Sequence, residues 1–187
     1  MRVNIDEIKE AGLLRSWDVA REQVDEFVAG DRAGYRARGP AHVEARFEKV
    51  ERRVRLGGRA EARLQAACSR CLAPVELDLP VEFALTLVPS DEYADEPGAG
   101  RDPEDRRVAG SFDSEDAEEE VYAGKVVDLD PIVREQLLLA LPGYPLCKES
   151  CKGLCPACGA NLNDRECGCD RHVPDPRWAA LRNVKLQ

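Results

Sequence analysis

Six of the chain's eight cysteines fall between residues 147 and 169, and no other feature constrains its folding more. They are Cys147, Cys151, Cys155, Cys158, Cys167 and Cys169; the other two, Cys68 and Cys71, form a C-S-R-C pair in mid-chain. Thiols that only fill a core pack singly, whereas thiols spaced by one to three residues can converge on one centre. In Cys155-Pro-Ala-Cys158-Gly159 the two intervening residues let both sulfurs turn inward on one knuckle. Gly159 allows the positive φ that a tight knuckle asks for, and Pro156 stiffens the turn. Cys167-Gly168-Cys169 offers two more sulfurs from a second bend. Four thiolates complete a tetrahedral zinc site and leave no position for water, which marks a structural metal.

Cys155, Cys158, Cys167 and Cys169 form the primary expected site, with zinc as its metal. A second site joining Cys68 and Cys71 to Cys147 and Cys151 would tie the tail to the middle of the chain. The alternative is a single site drawing on Cys147 or Cys151, with Cys68 and Cys71 unligated. His172 is a spare ligand beside the cluster, and His42 reads as a surface strand residue. Disulfides, a redox C-x-x-C and an iron–sulfur cluster use the same side chains. A disulfide framework needs an oxidising compartment, and the opening stretch MRVNIDEIKEAGLL has acids where a signal peptide carries a basic flank. No apolar run approaches the ~18 residues of a membrane span. The expectation is a cytoplasmic protein with reduced thiols and no membrane partner. A redox pair would sit in a βαβ frame, which is absent here; spacing does not separate zinc from iron and sulfur.

The formal net charge of −9 is unevenly placed. Residues 91–120 carry 13 acids and three arginines, whereas residues 32–70 carry 11 bases and four acids. A basic middle and an acidic, Gly/Pro-rich insertion without periodicity read as an ordered basic surface beside a flexible loop. The loop is either a solubilising linker or an acidic mimic of nucleic acid.

Alternation is strongest over residues 41–88. Val43, Ala45 and Phe47 alternate with polar residues, the phase shifts near Lys49, and Gly57-Gly58 signals a hairpin turn. Ala60, Ala62, Leu64 and Ala66 alternate up to Cys68; Val75 to Leu87 then alternate without a miss. Three strands in a meander follow, with the Cys68–Cys71 knuckle at the second connection. Arg46, Arg52, Arg53, Arg55, Arg59 and Arg63 fall on outward positions of the first two strands, as candidates for contacting RNA phosphates. The interleaved Glu44, Glu48, Glu51 and Glu61 offer the competing role, cross-strand ion pairs on a solvated face. Tyr35 among Arg32, Arg36 and Arg38 is either a base-stacking loop or a tyrosine resting on the core, the latter favoured. Helices are expected from Asp6 to Gly12 and from Ser16 toward Gly30, a strand over Val121–Leu129, and a helix capped by Asp130 before Pro131 that is buried on more than one face. Asp175-Pro176 opens a short C-terminal helix carrying Trp178 and Leu181.

The expected fold class is α+β: an antiparallel β-meander with a buried helix, an acidic disordered insertion and a C-terminal cysteine-rich zinc-binding segment. One domain is expected over 1–187, with a core of 1–90 and 121–146, the acidic loop 91–120, and the zinc-binding segment and final helix 147–187. No H-E-x-x-H, P-loop or G-x-S-x-G is present, and only two histidines, so an enzyme is not expected.

Taken together, C-S-R-C-L, the acidic loop, D-P-I-V-R-E-Q-L-L-L-A-L-P, C-K-G-L-C-P-A-C-G-A-N-L-N with the following C-G-C, and D-P-R-W-A-A-L resemble the YceD family, the large ribosomal RNA subunit accumulation proteins. The resemblance runs from about residue 40 to the end. It implies a bacterial, cytoplasmic ribosome-biogenesis factor required for normal levels of large-subunit ribosomal RNA, with no established catalytic residues. Its implied partner is that RNA or a pre-ribosomal particle; the alternative is a zinc-stabilised protein-binding module, a chaperone for a basic ribosomal protein. Enterobacterial members keep the mid-chain pair without the C-terminal cluster. The resemblance therefore leaves open whether Cys68 and Cys71 share a metal with the tail.

Overall fold

The computed structural model of the chain describes residues 1–91, 119–169 and 177. The chain divides into two compact units, Met1–Ala66 with Glu76–Gly143, and Ala67–Val75 with Tyr144–Gln187.

The first unit is built on a sheet that alternation dictates. Strands β2 (Leu13–Val19), β4 (Ala41–Val50), β5 (Arg53–Ala67), β6 (Pro74–Pro89) and β7 (Glu119–Tyr122) lie side by side in that order, and the short β3 (Arg36–Ala37) also pairs with β5. β4 pairs antiparallel with β2 and β5, whereas β7 joins β6 in parallel. A separate antiparallel pair joins β1 (Arg2–Asn4) to β8 (Val126–Asp128). Along β4, Ala41, Val43, Ala45 and Phe47 are buried and the residues between them face outward. Helices α1 (Arg21–Phe27) and α2 (Asp130–Ala140) touch each other. Val24, Phe27, Ile132, Val133 and Leu137 take these helices into the same apolar cluster as the strand residues. The fold is thus α+β with an antiparallel-rich sheet and few helices.

Several local expectations are corrected. The hairpin between β4 and β5 turns at Glu51-Arg52, with Glu51 at φ 57 and Val50 opposite Arg53. The phase shift near Lys49 was therefore the turn itself. Gly57-Gly58 lies inside β5, where Gly58 faces the core: a Cβ there would stand 2.3 Å from Phe83 Cζ. The glycine signals close approach in a strand, not a reversal. Ser16 sits in β2, so no helix starts there; α1 begins at Arg21 after Ala20. The expected Asp6 helix shrinks to a 3-10 turn at Ile5–Glu7, capped by Asn4. The strand expected over 121–129 is two strands in different sheets, broken at Gly124 with φ 73. Leu129, not Asp130, precedes α2, and Leu139 is 73% exposed, so that helix buries only one face.

Tyr35 lies beneath the surface at 1% exposure, and its hydroxyl donates to the Pro142 carbonyl at 2.7 Å. It is a core residue, not a base-stacking one. Burial also raises its phenol pKa above 10.0. Tyr35→Phe leaves that carbonyl without its donor and is expected to cost about 1–2 kcal/mol. Denaturant unfolding monitored on the sheet checks this; an unchanged midpoint would show that the bond is weak.

Among the described residues no helix is long and apolar enough to cross a membrane. Most of the acidic insertion (92–118), His172 and the C-terminal helix expected after Asp175 lie outside the described residues.

Candidate metal centres

The second unit folds around two cysteine knuckles with the same backbone geometry. In the first, Cys68 N–H donates to Ala73 O at 2.8 Å and Leu72 N–H returns to Cys68 O at 2.9 Å. In the second, Cys155 N–H donates to Ala160 O at 2.8 Å and Gly159 N–H to Cys155 O at 2.8 Å. Each closing residue is left-handed, Gly159 at φ 71 and Leu72 at φ 61. Glycine takes that conformation freely, and leucine only under constraint. Leu72 is also 66% exposed, so no packing compensates for it.

These knuckles bring the eight thiols together in two groups: Cys68, Cys71, Cys147 and Cys151, and Cys155, Cys158, Cys167 and Cys169. Within each group the sulfurs all lie within 4.8 Å of one another. Both expected groups of four thiols are thus brought close enough to share an ion, Cys68 and Cys71 among them. In the first group Cys68 Sγ is 3.8 Å from Cys151 Sγ, and Cys71 Sγ is 3.6 Å from Cys147 Sγ. Bonds of about 2.3 Å from a tetrahedral zinc put neighbouring sulfurs about 3.8 Å apart, so the cage fits a single ion. A multi-iron cluster divides its four cysteines between two or four iron atoms and so spreads them further. All eight thiols are free, and separations of 3.6 and 3.8 Å lie far beyond a disulfide bond.

The electrostatics suit a cation. The backbone N–H of Cys147 aimed at Cys68 holds that thiol down to about 6. The N–H groups of Cys158 and Ala157 hold Cys155 down to about 6. The Asn163 side-chain amide, 3.3 Å from Cys151 Sγ, lowers Cys151. The sulfurs of Cys158 and Cys167 push Cys169 up to about 12. Some thiols are thus drawn toward the thiolate and Cys169 is pushed away from it, and a cation among the sulfurs would favour the thiolate form throughout.

Residues that spacing rules did not flag hold these cages in shape. Arg70 lies inside the first knuckle, and its Nη1 donates to Glu149 O at 3.1 Å and Cys151 O at 2.9 Å. Its own carbonyl accepts from Leu154 N–H at 3.1 Å and would stand 3.1 Å from a Cβ at Gly153, which has φ 75. Cys68, Cys71 and Cys151 share a small apolar cluster with Ala73, Val75, Leu146 and Leu154.

The candidate RNA-contacting arginines fall elsewhere. Arg46, Arg53, Arg55, Arg59 and Arg63 share the outward face of β4 and β5, whereas Arg52 lies in the turn between them. Arg46 pairs with Glu48 at 2.7 Å, Arg59 with Glu61 at 2.6 Å and Arg53 with Glu119 at 2.8 Å; Arg52 pairs with Asp91. The first two pairs join residues two apart on one strand, which share a face, although the register sets Glu44 opposite Arg59 and Glu48 opposite Arg55. Among the described residues Arg55 and Arg63 join no ion pair. His42, exposed on β4, bonds Asp18 through Nδ1 at 2.7 Å, which raises its pKa above 6.5.

A family model described as "Large ribosomal RNA subunit accumulation protein YceD" matches residues 56–185, a stretch that includes all eight cysteines. The chain belongs to the YceD family. Among similar proteins, the YCED homolog 1 named as chloroplastic in Arabidopsis thaliana is 26% identical over 96% of this chain and 60% of its own length. A Zea mays protein of the same name is 28% identical over 81% of this chain and 57% of its own. An uncharacterized protein of Mycobacterium tuberculosis is 30% identical over 74% of this chain and 59% of its own. The chain therefore spans about three fifths of the length of these relatives. No solved structure matches it.

Proposed function

We propose that this chain acts without catalysis in assembly of the large ribosomal subunit, supporting accumulation of its RNA by binding precursor RNA or an assembling particle in the cytoplasm. The observation that carries this reading is the match of residues 56–185 to a family described by large-subunit RNA accumulation. Zinc is the metal assigned to both cages, because an all-thiolate, four-sulfur donor set suits it and leaves no open position for chemistry. Zinc then holds the cysteine-rich unit in one conformation, and the arginines of β4 and β5 meet phosphate. The Arg46–Glu48 and Arg59–Glu61 pairs are exposed and worth about 0–1 kcal/mol each, so an RNA backbone displaces those glutamates at little cost.

Gradient sedimentation of a lysate tests the proposal. The chain is expected to travel with large-subunit precursors and to move to the top of the gradient after ribonuclease treatment. A chain that stays at the top throughout overturns it. Replacing Arg55 and Arg63 with glutamate is expected to weaken precursor binding and flatten its salt dependence, with metal content unchanged. Binding that survives this replacement would place the contact on another surface. The second reading, a chaperone for a basic ribosomal protein, draws on the 13 acids of residues 91–120. It predicts that deleting the insertion abolishes capture of such a partner.

A further inference from the structure

We propose that the two four-cysteine cages bind metal as a coupled pair, with Asn163 as the positioning residue that links them. The inference rests on the metal reading above and goes beyond it by assigning a dependence of one site on the other. Asn163 lies on the loop between the two ligand pairs of the second cage, Cys155 with Cys158 and Cys167 with Cys169. Its side chain does not point into that cage. Its Nδ2 donates to Cys151 Sγ, a ligand of the first cage, at 3.3 Å.

The amide has only one orientation that fits. Its second Nδ2 hydrogen goes to Asn161 Oδ1 at 2.8 Å, and its Oδ1 accepts from the Lys152 backbone N–H at 2.9 Å. Turning the amide over would set its oxygen against the Cys151 sulfur and its NH2 group against a backbone donor. The Asn161 Oδ1 also accepts from Asn163 N–H at 3.0 Å, which fixes the loop locally. Leu162 N–H to Gly153 O at 2.9 Å and the bridge between Leu154 and Asn161 lay this loop along residues 151–154. The loop is anchored at both ends by ligands of the second cage. Filling that cage fixes where Asn163 stands, and Asn163 supports a thiolate of the first. A donor to a ligand sulfur orients it and offsets its negative charge, as outer-shell partners of metal ligands do. Linkage makes the effect mutual: metal in either site raises affinity at the other.

Cadmium-113 NMR on the full chain tests this, because each filled site gives its own resonance and chelator competition reads its affinity. Asn163→Ala is expected to lower affinity at the first site by about 10–100-fold and to shift that resonance, as a purely structural role would not. Asn163→Asp keeps the shape and the acceptor for Lys152 N–H but sets an oxygen against Cys151; it is expected to lose at least as much. The double variant Cys167→Ser with Cys169→Ser is expected to weaken the first site comparably. Adding Asn163→Ala to that double variant should then change little further, a non-additive cycle. The coupling is overturned if Asn163→Ala stays within twofold of the parent, or if the losses multiply. A chain that takes up no cadmium at all would instead defeat the metal reading itself.

Discussion

Stripping metal from the chain is expected to unfold residues 67–75 and 144–169 while the sheet unit keeps its structure. Each unit has its own apolar cluster, and they are very unequal. The sheet unit buries Phe47, Leu56, Leu64, Leu87, Leu129 and Leu137 at 2% exposure or less, within a core drawn from every long strand and both helices. The cysteine unit's cluster has three buried cysteines backed by two leucines, an alanine and a valine, and of the hydrophobic residues beyond it only Cys155 and Leu162 are buried among the described residues of that unit. So little apolar surface does not offset the entropy of ordering the chain. Metal–sulfur bonds in the two cages would make up the difference, since structural zinc in small domains contributes about 10–16 kcal/mol. Elemental analysis should find two metals per chain, and one after Cys68→Ser with Cys71→Ser. Amide exchange in the metal-free chain should show protection lost over 144–169 and kept in β4 and β5. Protection that persists over 144–169 without metal would refute this account. Protons compete for the same sulfur lone pairs, so metal loss is expected as pH falls and not as it rises.

Gly58→Ala is the second large effect, and Gly57→Ala is its control. The two glycines are adjacent in β5 and point to opposite faces. A Cβ at Gly58 would stand 2.3 Å from Phe83 Cζ and 2.6 Å from Cε2, and Phe83 is itself buried at 8% exposure. Overpacking of this kind typically costs about 1–3 kcal/mol. A Cβ at Gly57 meets nothing within 4 Å, so that variant should fall within about 0.5 kcal/mol of the parent. Phe83→Leu in the Gly58→Ala background should recover part of the loss, and the coupling measures the contact. Equal stability of the two alanine variants would show that Phe83 does not cover Gly58.

What could be read in advance follows from how local each cause is. Each C-x-x-C pair was legible because a knuckle is a short-range object: two residues between thiols fix where the sulfurs point, but not which pairs meet across 76 to 83 residues. The glycine rule held at Gly159 and had no counterpart at Leu72, where a leucine takes the same left-handed turn. Alternation disclosed β4, β5 and β6 because one face of each is buried. β2 was hidden because it is an edge strand whose inward positions Leu13, Arg15 and Trp17 are only half-buried. Gly57-Gly58 misled because a turn signal and a close-approach signal use the same residue; which applies depends on Phe83, 25 positions away. Arg70 and Asn163 carried no signal, since their roles depend on partners up to 81 residues distant.

The parallel pairing of β6 with β7 has a consequence for how this chain can change over time. The register sets Glu119 beside Thr86 and Tyr122 beside Pro89, so the chain leaving Asp91 must return only about five strand positions, on the order of 17 Å. A crossover between parallel neighbours takes about a dozen residues. The 27 residues from 92 to 118 far exceed it. Closure entropy grows only with the logarithm of length, about 0.6 kcal/mol per doubling. The sheet thus sets a floor on this segment and hardly any ceiling. Insertions, deletions or a grafted sequence there leave the pairing of β6 with β7 intact, so the segment can diversify while the scaffold stays fixed.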